Sequence, residues 1–422
     1  MSTILFLLLA MLQQADTSKS SPRFVTSQDT FLIDEPIPIV ISGLPAGKVV
    51  TVTLRGGEQQ EWSSSATFIA GQDGVVDLGR MAPRSGSYRG VDPMGLFWSA
   101  RRDPDAPHGF PEIARNPPPQ KWQITAEIEK SVVAETTVWR RAVAADVTVT
   151  MVRENGLVGA FYQPPGPGRH PAVMVLSGSG GGLPPATSPA GGLASRGYAV
   201  LALAYFAADG LPPSLSHIPL EYFGNALSWL AAQPSVDSSR IGVLGTSRGG
   251  ELALLLGSAY PQITTVVAYV PSNVVWGGCC NSINEPSWTV EGRPLSWVNP
   301  RARDFAAMER ATIRVEKIKG AVLLISGRQD QVWNSTSMSE QAMSRLQRNH
   351  FAYAYKHVAY DGAGHAIGRP YSSTMDLEAR HPLSGRIMHF GGTPEGTAHA
   401  REDSWRQTLA FLDEHLRRAL PQ

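Results

Sequence analysis

The sequence predicts an α/β protein in which an all-β domain precedes a mainly parallel sheet flanked by helices. Three observations carry this. Short alternating runs broken by Gly and Pro fill the first third of the chain. From about residue 148, apolar runs alternate with helical stretches. At one such junction Ile241-Gly-Val-Leu244 leads through Gly245-Thr-Ser-Arg-Gly249 into Glu251-Leu-Ala-Leu-Leu-Leu256, a strand, tight turn and helix in succession. With 422 residues, 42% hydrophobic and 17% charged, the chain is long enough for two cores and ordinary for a globular protein. The balance of 37 basic against 36 acidic residues gives no electrostatic reason to expect nucleic acid or an anionic membrane as partner.

In chain order, Ile4 to Leu12 is an apolar run too short to span a bilayer. It reads as the hydrophobic part of a secretory signal over residues 1–21, or as a disordered leader, since no Lys or Arg precedes it. A cleaved signal would make the protein secreted or periplasmic; without cleavage it is cytoplasmic. No other window approaches a membrane span.

Residues 22–143 read as a β-sandwich. Val50, Val52 and Leu54 alternate with Thr51, Thr53 and Arg55; Trp122, Ile124, Ala126 and Ile128 share one face, as do Val132, Ala134, Thr136 and Val138. Residues 148–420 form the α/β domain, with strands at 172–176, 198–204, 240–244, 264–270, 321–326 and 352–360. A helix over 221–232 presents Tyr222, Ala226, Trp229 and Leu230, and a last helix over 403–420 presents Trp405, Leu409, Leu412 and Leu416. Between about 273 and 310 the alternation stops, and Trp276, Trp288 and Trp297 stand among Gly, Pro and Asn. A loop of this length is expected to cap the site and line an acyl pocket.

A serine hydroxyl is a poor nucleophile at neutral pH unless a base takes its proton, and the base needs an acid to orient it. Ser247 sits on the tight turn. Asp330 follows the strand at 321–326, on the edge where open α/β sheets bind ligands. His365 follows the next strand in Asp361-Gly-Ala-Gly-His365. Asp361 is a rival acid; His217, His350, His357 and His399 are rival bases. The order serine, acid, histidine and the positions after strands favour Ser247, Asp330 and His365. A tetrahedral oxyanion needs N–H donors: Arg248, next to the serine, and Ser179 or Gly180 in Ser177-Gly-Ser-Gly-Gly-Gly182. A phosphate cradle fits that loop poorly, since no Gly-Lys-Ser/Thr follows and residue 183 is Leu. The chemistry calls for no cofactor or metal.

The two cysteines, Cys279 and Cys280, are adjacent. Bridging neighbours strains the chain, and two ligands are too few for a structural zinc, so a free pair is expected.

Several stretches together resemble the acyl-CoA thioesterase and bile-acid-CoA:amino-acid N-acyltransferase family. They are Asp34-Glu-Pro36, Gly86-Ser-Tyr88, Asp92-Pro-Met-Gly-Leu96-Phe-Trp98, Leu220-Glu-Tyr-Phe223, Gly242 to Leu252, Gly327 to Trp333, Gly364-His365 and Phe390-Gly-Gly392. The resemblance implies an α/β-hydrolase catalytic domain behind an Ig-like all-β sandwich, with Ser247, Asp330 and His365 as its triad. It implies a small-molecule acyl thioester or ester substrate: either hydrolysis of fatty acyl-CoA or acyl transfer to glycine or taurine. Members that transfer carry Cys at the elbow and thioesterases carry Ser, so Ser247 points to a thioesterase. A carboxylesterase or lactone hydrolase would use the same triad. Arg248 replaces the family's usual Lys, and the oligomeric state is not legible.

Overall fold

The computed structural model describes residues 21–57, 61–105, 118–280, 282–299 and 304–417. All but the last residue of the expected leader lies outside them. Among the described residues no helix is long and apolar enough to cross a membrane.

The N-terminal part packs two sheets over one core. A three-stranded sheet joins Arg23–Val25, Val40–Ser42 and Val76–Asp77; a seven-stranded sheet is built around Val49–Gly56, Trp62–Ile69, Gln120–Ile128 and Ser131–Arg141. Strand side chains point alternately to opposite faces. Val50, Val52 and Leu54 are therefore buried together with Ile41, Val76 and Ile124. Val132 departs from the expected face and is exposed, because the register slips by a bulge between Val132 and Ala134.

The C-terminal part is an eight-stranded sheet. Its strands are β1 (Thr148–Val152), β2 (Val158–Gln163), β3 (His170–Leu176), β4 (Ala199–Ala204), β5 (Val236–Thr246), β6 (Ile263–Tyr269), β7 (Ala321–Gly327) and β8 (Tyr355–Tyr360). They lie in the order β1-β2-β4-β3-β5-β6-β7-β8, with β2 antiparallel to both neighbours and the rest of the ladder, from β4 to β8, parallel. This is the α/β-hydrolase architecture, with the doubling back of β3 and β4 placing the chain's crossing point at the C-terminal ends of β3 and β5.

Both faces are covered, which is why the parallel strands read as unbroken apolar runs. Met174, Leu176, Leu201 and Val243 meet α2 (Leu220–Ala231) and α3 (Arg248–Ala259) on one side. Val173, Val175, Val200 and Leu323 meet α1 (Pro184–Ala194) and α4 (Pro394–Leu412) on the other. The apolar face of α2 centres on Phe223, Ala226, Leu227 and Leu230, with Tyr222 and Trp229 only half-buried at its edge. The last helix begins nine residues before the expected start, where the Thr393 side chain accepts the Gly396 N–H at 3.0 Å and Pro394 occupies the first turn.

Candidate active site

β5 ends in a turn that only glycine neighbours permit. Ser247 has φ 60° and ψ −118°, outside the regions a serine ordinarily adopts. A Cβ at residue 245 would lie 1.9 Å from the Gly249 carbonyl oxygen, and one at residue 249 would lie 2.4 Å from the Ser177 carbonyl oxygen. Strand, turn and helix cross too closely for any side chain, so the hydroxyl is held up at the sheet edge by packing that overrides local preference. The Ser247 N–H donates to the Tyr269 carbonyl at 2.9 Å, fixing the turn to β6.

His365 Nε2 lies 2.9 Å from Ser247 Oγ, and its Nδ1 lies 2.8 Å from Asp330 Oδ2. The carboxylate can only accept, so Nδ1 carries a proton and Nε2 presents its lone pair to the hydroxyl. Asp330 is itself fixed: Oδ1 accepts the N–H groups of Val332 and Trp333 at 2.9 and 3.2 Å, and Oδ2 accepts the Ser335 hydroxyl at 2.6 Å. Trp333 stands edge-on to the imidazole with centroids 5.1 Å apart. All three side chains are buried or nearly so.

A strip that spacing did not reveal holds the Asp330 and His365 loops together. The Phe390 carbonyl accepts the His365 N–H at 2.7 Å and the Gln331 N–H at 3.4 Å. Gly391 bridges to Asp330 and Gly392 to Ala363. A Cβ on Gly364 would be 2.1 Å from the Phe390 carbonyl oxygen. The glycines of Phe390-Gly-Gly392 thus let three backbones meet.

The rivals lie elsewhere. Asp361 is exposed and 3.2 Å from Arg328; His357 Nε2 is 2.8 Å from Ser326 Oγ; His399 is 3.3 Å from Asp92; His217 is 3.8 Å from Glu285. His350 is exposed.

In the glycine loop the Gly181 N–H is committed to the Gly178 carbonyl and the Gly182 N–H to the Phe206 carbonyl. Among the described residues the Ser179 and Gly180 N–H groups make no such backbone bond. Arg248 opens α3, where the first N–H groups have no partner in the helix. Gly178 backs directly onto the elbow serine: a Cβ there would be 3.2 Å from Ser247 Cβ.

The Arg248 side chain turns away from the hydroxyl. It lies 3.2 Å from Glu251 and donates to the Trp276 carbonyl at 3.1 Å and to the Ser287 hydroxyl. Glu251 is fully buried and accepts the Trp288 indole N–H at 3.0 Å. Burial pushes the Glu251 carboxyl up to about 7, against the opposing pull of Arg248. The described part of the 273–310 segment is thereby tied into the core, with Trp288 wholly enclosed beside Tyr205 and Phe223. It is no separable flap.

That segment also brings the cysteines to the glycine loop. Both are free; Cys279 Sγ is 4.0 Å from the Ser179 carbonyl oxygen, and Cys280 Sγ is 3.7 Å from His381. Hydrogen bonding with Cys280, helped by His381 and Arg248, draws the Cys279 thiol below its ordinary range.

The chain matches the family described as BAAT / Acyl-CoA thioester hydrolase C terminal over residues 218–418, and Acyl-CoA thioester hydrolase/BAAT N-terminal region over residues 34–154. It is 31% identical to acyl-coenzyme A amino acid N-acyltransferase 1 of Mus musculus, over 93% of this chain and 98% of that protein. Acyl-coenzyme A thioesterase 1 of Mus musculus is 30% identical over 91% and 94% of the two chains. Bile acid-CoA:amino acid N-acyltransferase of Homo sapiens is 31% identical over 91% and 96%. With the relay geometry on this sheet and kinship running almost end to end, the chain belongs to the acyl-CoA thioesterase and bile-acid-CoA:amino-acid N-acyltransferase family.

Proposed function

We propose that this protein is a serine acyl-thioester hydrolase that cleaves fatty acyl-CoA, or a related acyl thioester, to free acid and thiol through an acyl-serine intermediate. The observation that carries the reading is a serine hydroxyl, not a thiol, at the elbow, 2.9 Å from an imidazole that is 2.8 Å from a carboxylate. Oγ of Ser247 attacks the thioester carbonyl as its proton passes to Nε2 of His365, and the Arg248 N–H with that of Ser179 or Gly180 receives the oxyanion. The carbon–sulfur bond breaks and the thiolate takes the proton from the imidazolium. Water then loses a proton to the same nitrogen and attacks the acyl-serine. Carboxylic acid leaves, and the serine regains its proton.

Relatives of equal similarity are named for transfer to amino acids and for hydrolysis, so identity alone does not choose between them. Thiol release from long-chain acyl-CoA, measured with and without glycine or taurine, separates the two. Hydrolysis is expected to dominate, with little acylglycine or acyltaurine formed. Ser247→Ala should lower kcat by about 10³-fold or more while leaving the circular dichroism spectrum unchanged. A loss below about tenfold would remove Ser247 from the chemistry. A mature N-terminus near residue 16 or beyond, read by mass spectrometry, would shift the proposed leaving group from CoA to another thiol or alcohol.

A further inference from the structure

Cys279, Cys280 and His381 each offer one ligating atom, and these atoms all lie within 4.8 Å of one another. We propose that they form a binding site for a thiophilic divalent cation, Zn²⁺ foremost, at the rim of the glycine loop. The triad has no part in this site, so the inference stands apart from the reading of the hydrolase chemistry.

The distances suit the ion. A tetrahedral Zn²⁺ with the usual bond lengths sets sulfur and nitrogen ligands about 3.6 Å apart and two sulfurs about 3.8 Å apart. Cys280 Sγ already stands 3.7 Å from both ring nitrogens of His381. In extended backbone two successive side chains point to opposite sides. The left-handed conformation of Cys280, with φ 69°, lifts that restriction and turns neighbouring thiols toward one imidazole. The loop is held firmly enough to serve: the Cys279 N–H donates to the Leu215 carbonyl at 3.1 Å, and a Cβ on Gly278 would be 2.4 Å from the Ser282 carbonyl oxygen.

Hydrogen bonds on both ring nitrogens fix the tautomer of His381. Nδ1 of His381 accepts the N–H groups of Leu383 and Ser384 at 3.2 and 3.3 Å, so Nε2 carries the proton and donates to the Ser179 hydroxyl at 3.1 Å. An incoming cation takes the Nδ1 lone pair from two long hydrogen bonds after a small rotation of the ring, and Nε2 keeps its bond to Ser179. Both thiols bind as thiolates, with their protons released to solvent. Water takes the fourth position, as in other sites with three protein ligands. The cysteines are half-buried and His381 is buried.

The test uses the reduced, full-length protein stripped with chelator. Titration with Co²⁺ alone should raise a thiolate-to-metal absorption band in the near ultraviolet, and Zn²⁺ should abolish it at one ion per chain. Cys279→Ser and His381→Gln, each checked for native circular dichroism, should weaken binding by at least about tenfold. Ser247→Ala should bind as the parent does. Absence of the sulfur band overturns the site. So does unaltered affinity in a Cys279→Ser, Cys280→Ser double variant, or loss of binding in Ser247→Ala, which would put the ion at the triad.

Discussion

Gly391 has φ 73°, and a Cβ on it would sit 2.0 Å from the Gln329 carbonyl oxygen, one residue from Asp330. Gly391→Ala must therefore push the acid loop aside. Displacement of a catalytic group by about 1 Å costs roughly 10²-fold in rate. That loss in kcat is expected for Gly391→Ala, with KM little changed; steady-state kinetics on acyl-CoA checks it. Glu251 makes a second prediction. Its folded pKa of about 7 stands above the ordinary 4.5, so the folded protein holds a proton that the unfolded chain has lost. Between those two values the contribution of Glu251 to stability falls as pH rises, and above about 7 it is constant. In Glu251→Gln that slope should vanish, so the difference in denaturation midpoint between variant and parent should change from pH 4.5 to 7 and level off beyond. A parallel pair of curves would contradict it.

At the scale of elements, the inserted segment decides most. Trp288 is completely enclosed and bonded to Glu251, so Trp288→Ala is expected to cost about 3–5 kcal/mol in urea denaturation. Excising residues 273–310 should abolish cooperative unfolding and not merely alter chain-length preference. The central parallel strands were readable because burial on both faces leaves an apolar run with little else in it. β1 and β2 escaped notice: Thr148–Val152 alternates polar and apolar, and Val158–Gln163 carries a Gly where β4 passes close by. Ser247, Asp330 and His365 were traceable because each follows a strand in a fixed order. The Phe390-Gly-Gly392 strip could be singled out only by resemblance, and its work as a clamp was invisible. His381, 101 residues from Cys280, left no trace in spacing at all.

On the scale of the whole molecule, the sandwich and the sheet are fastened by buried polar groups. Asp34 accepts from Arg196 and from the Trp405 indole at 2.9 Å; Arg140 donates to the Tyr371 carbonyl at 2.9 Å; the Thr374 N–H donates to the Trp98 carbonyl at 3.0 Å. This explains why Asp34-Glu-Pro36 and Asp92-Pro-Met-Gly-Leu96 stood out in a half without chemistry. Asp92 accepts the Met94 N–H and the Trp98 indole, and Gly95 leaves room for the ring of Tyr88. Removing the buried Asp34 carboxylate leaves the Trp405 indole N–H and one Arg196 N–H without their acceptor, at a cost of about 1–3 kcal/mol. Asp34→Ala should therefore lower the melting temperature and split the calorimetric transition in two; a single transition at the parental midpoint would speak against the fastening.

That fastening has a consequence for biosynthesis. Residue 34 leaves the ribosome well before Arg196, and Arg196 well before Trp405. The nascent sandwich must therefore wait, one acidic edge still wet, until the helix that carries Trp405 emerges to close it.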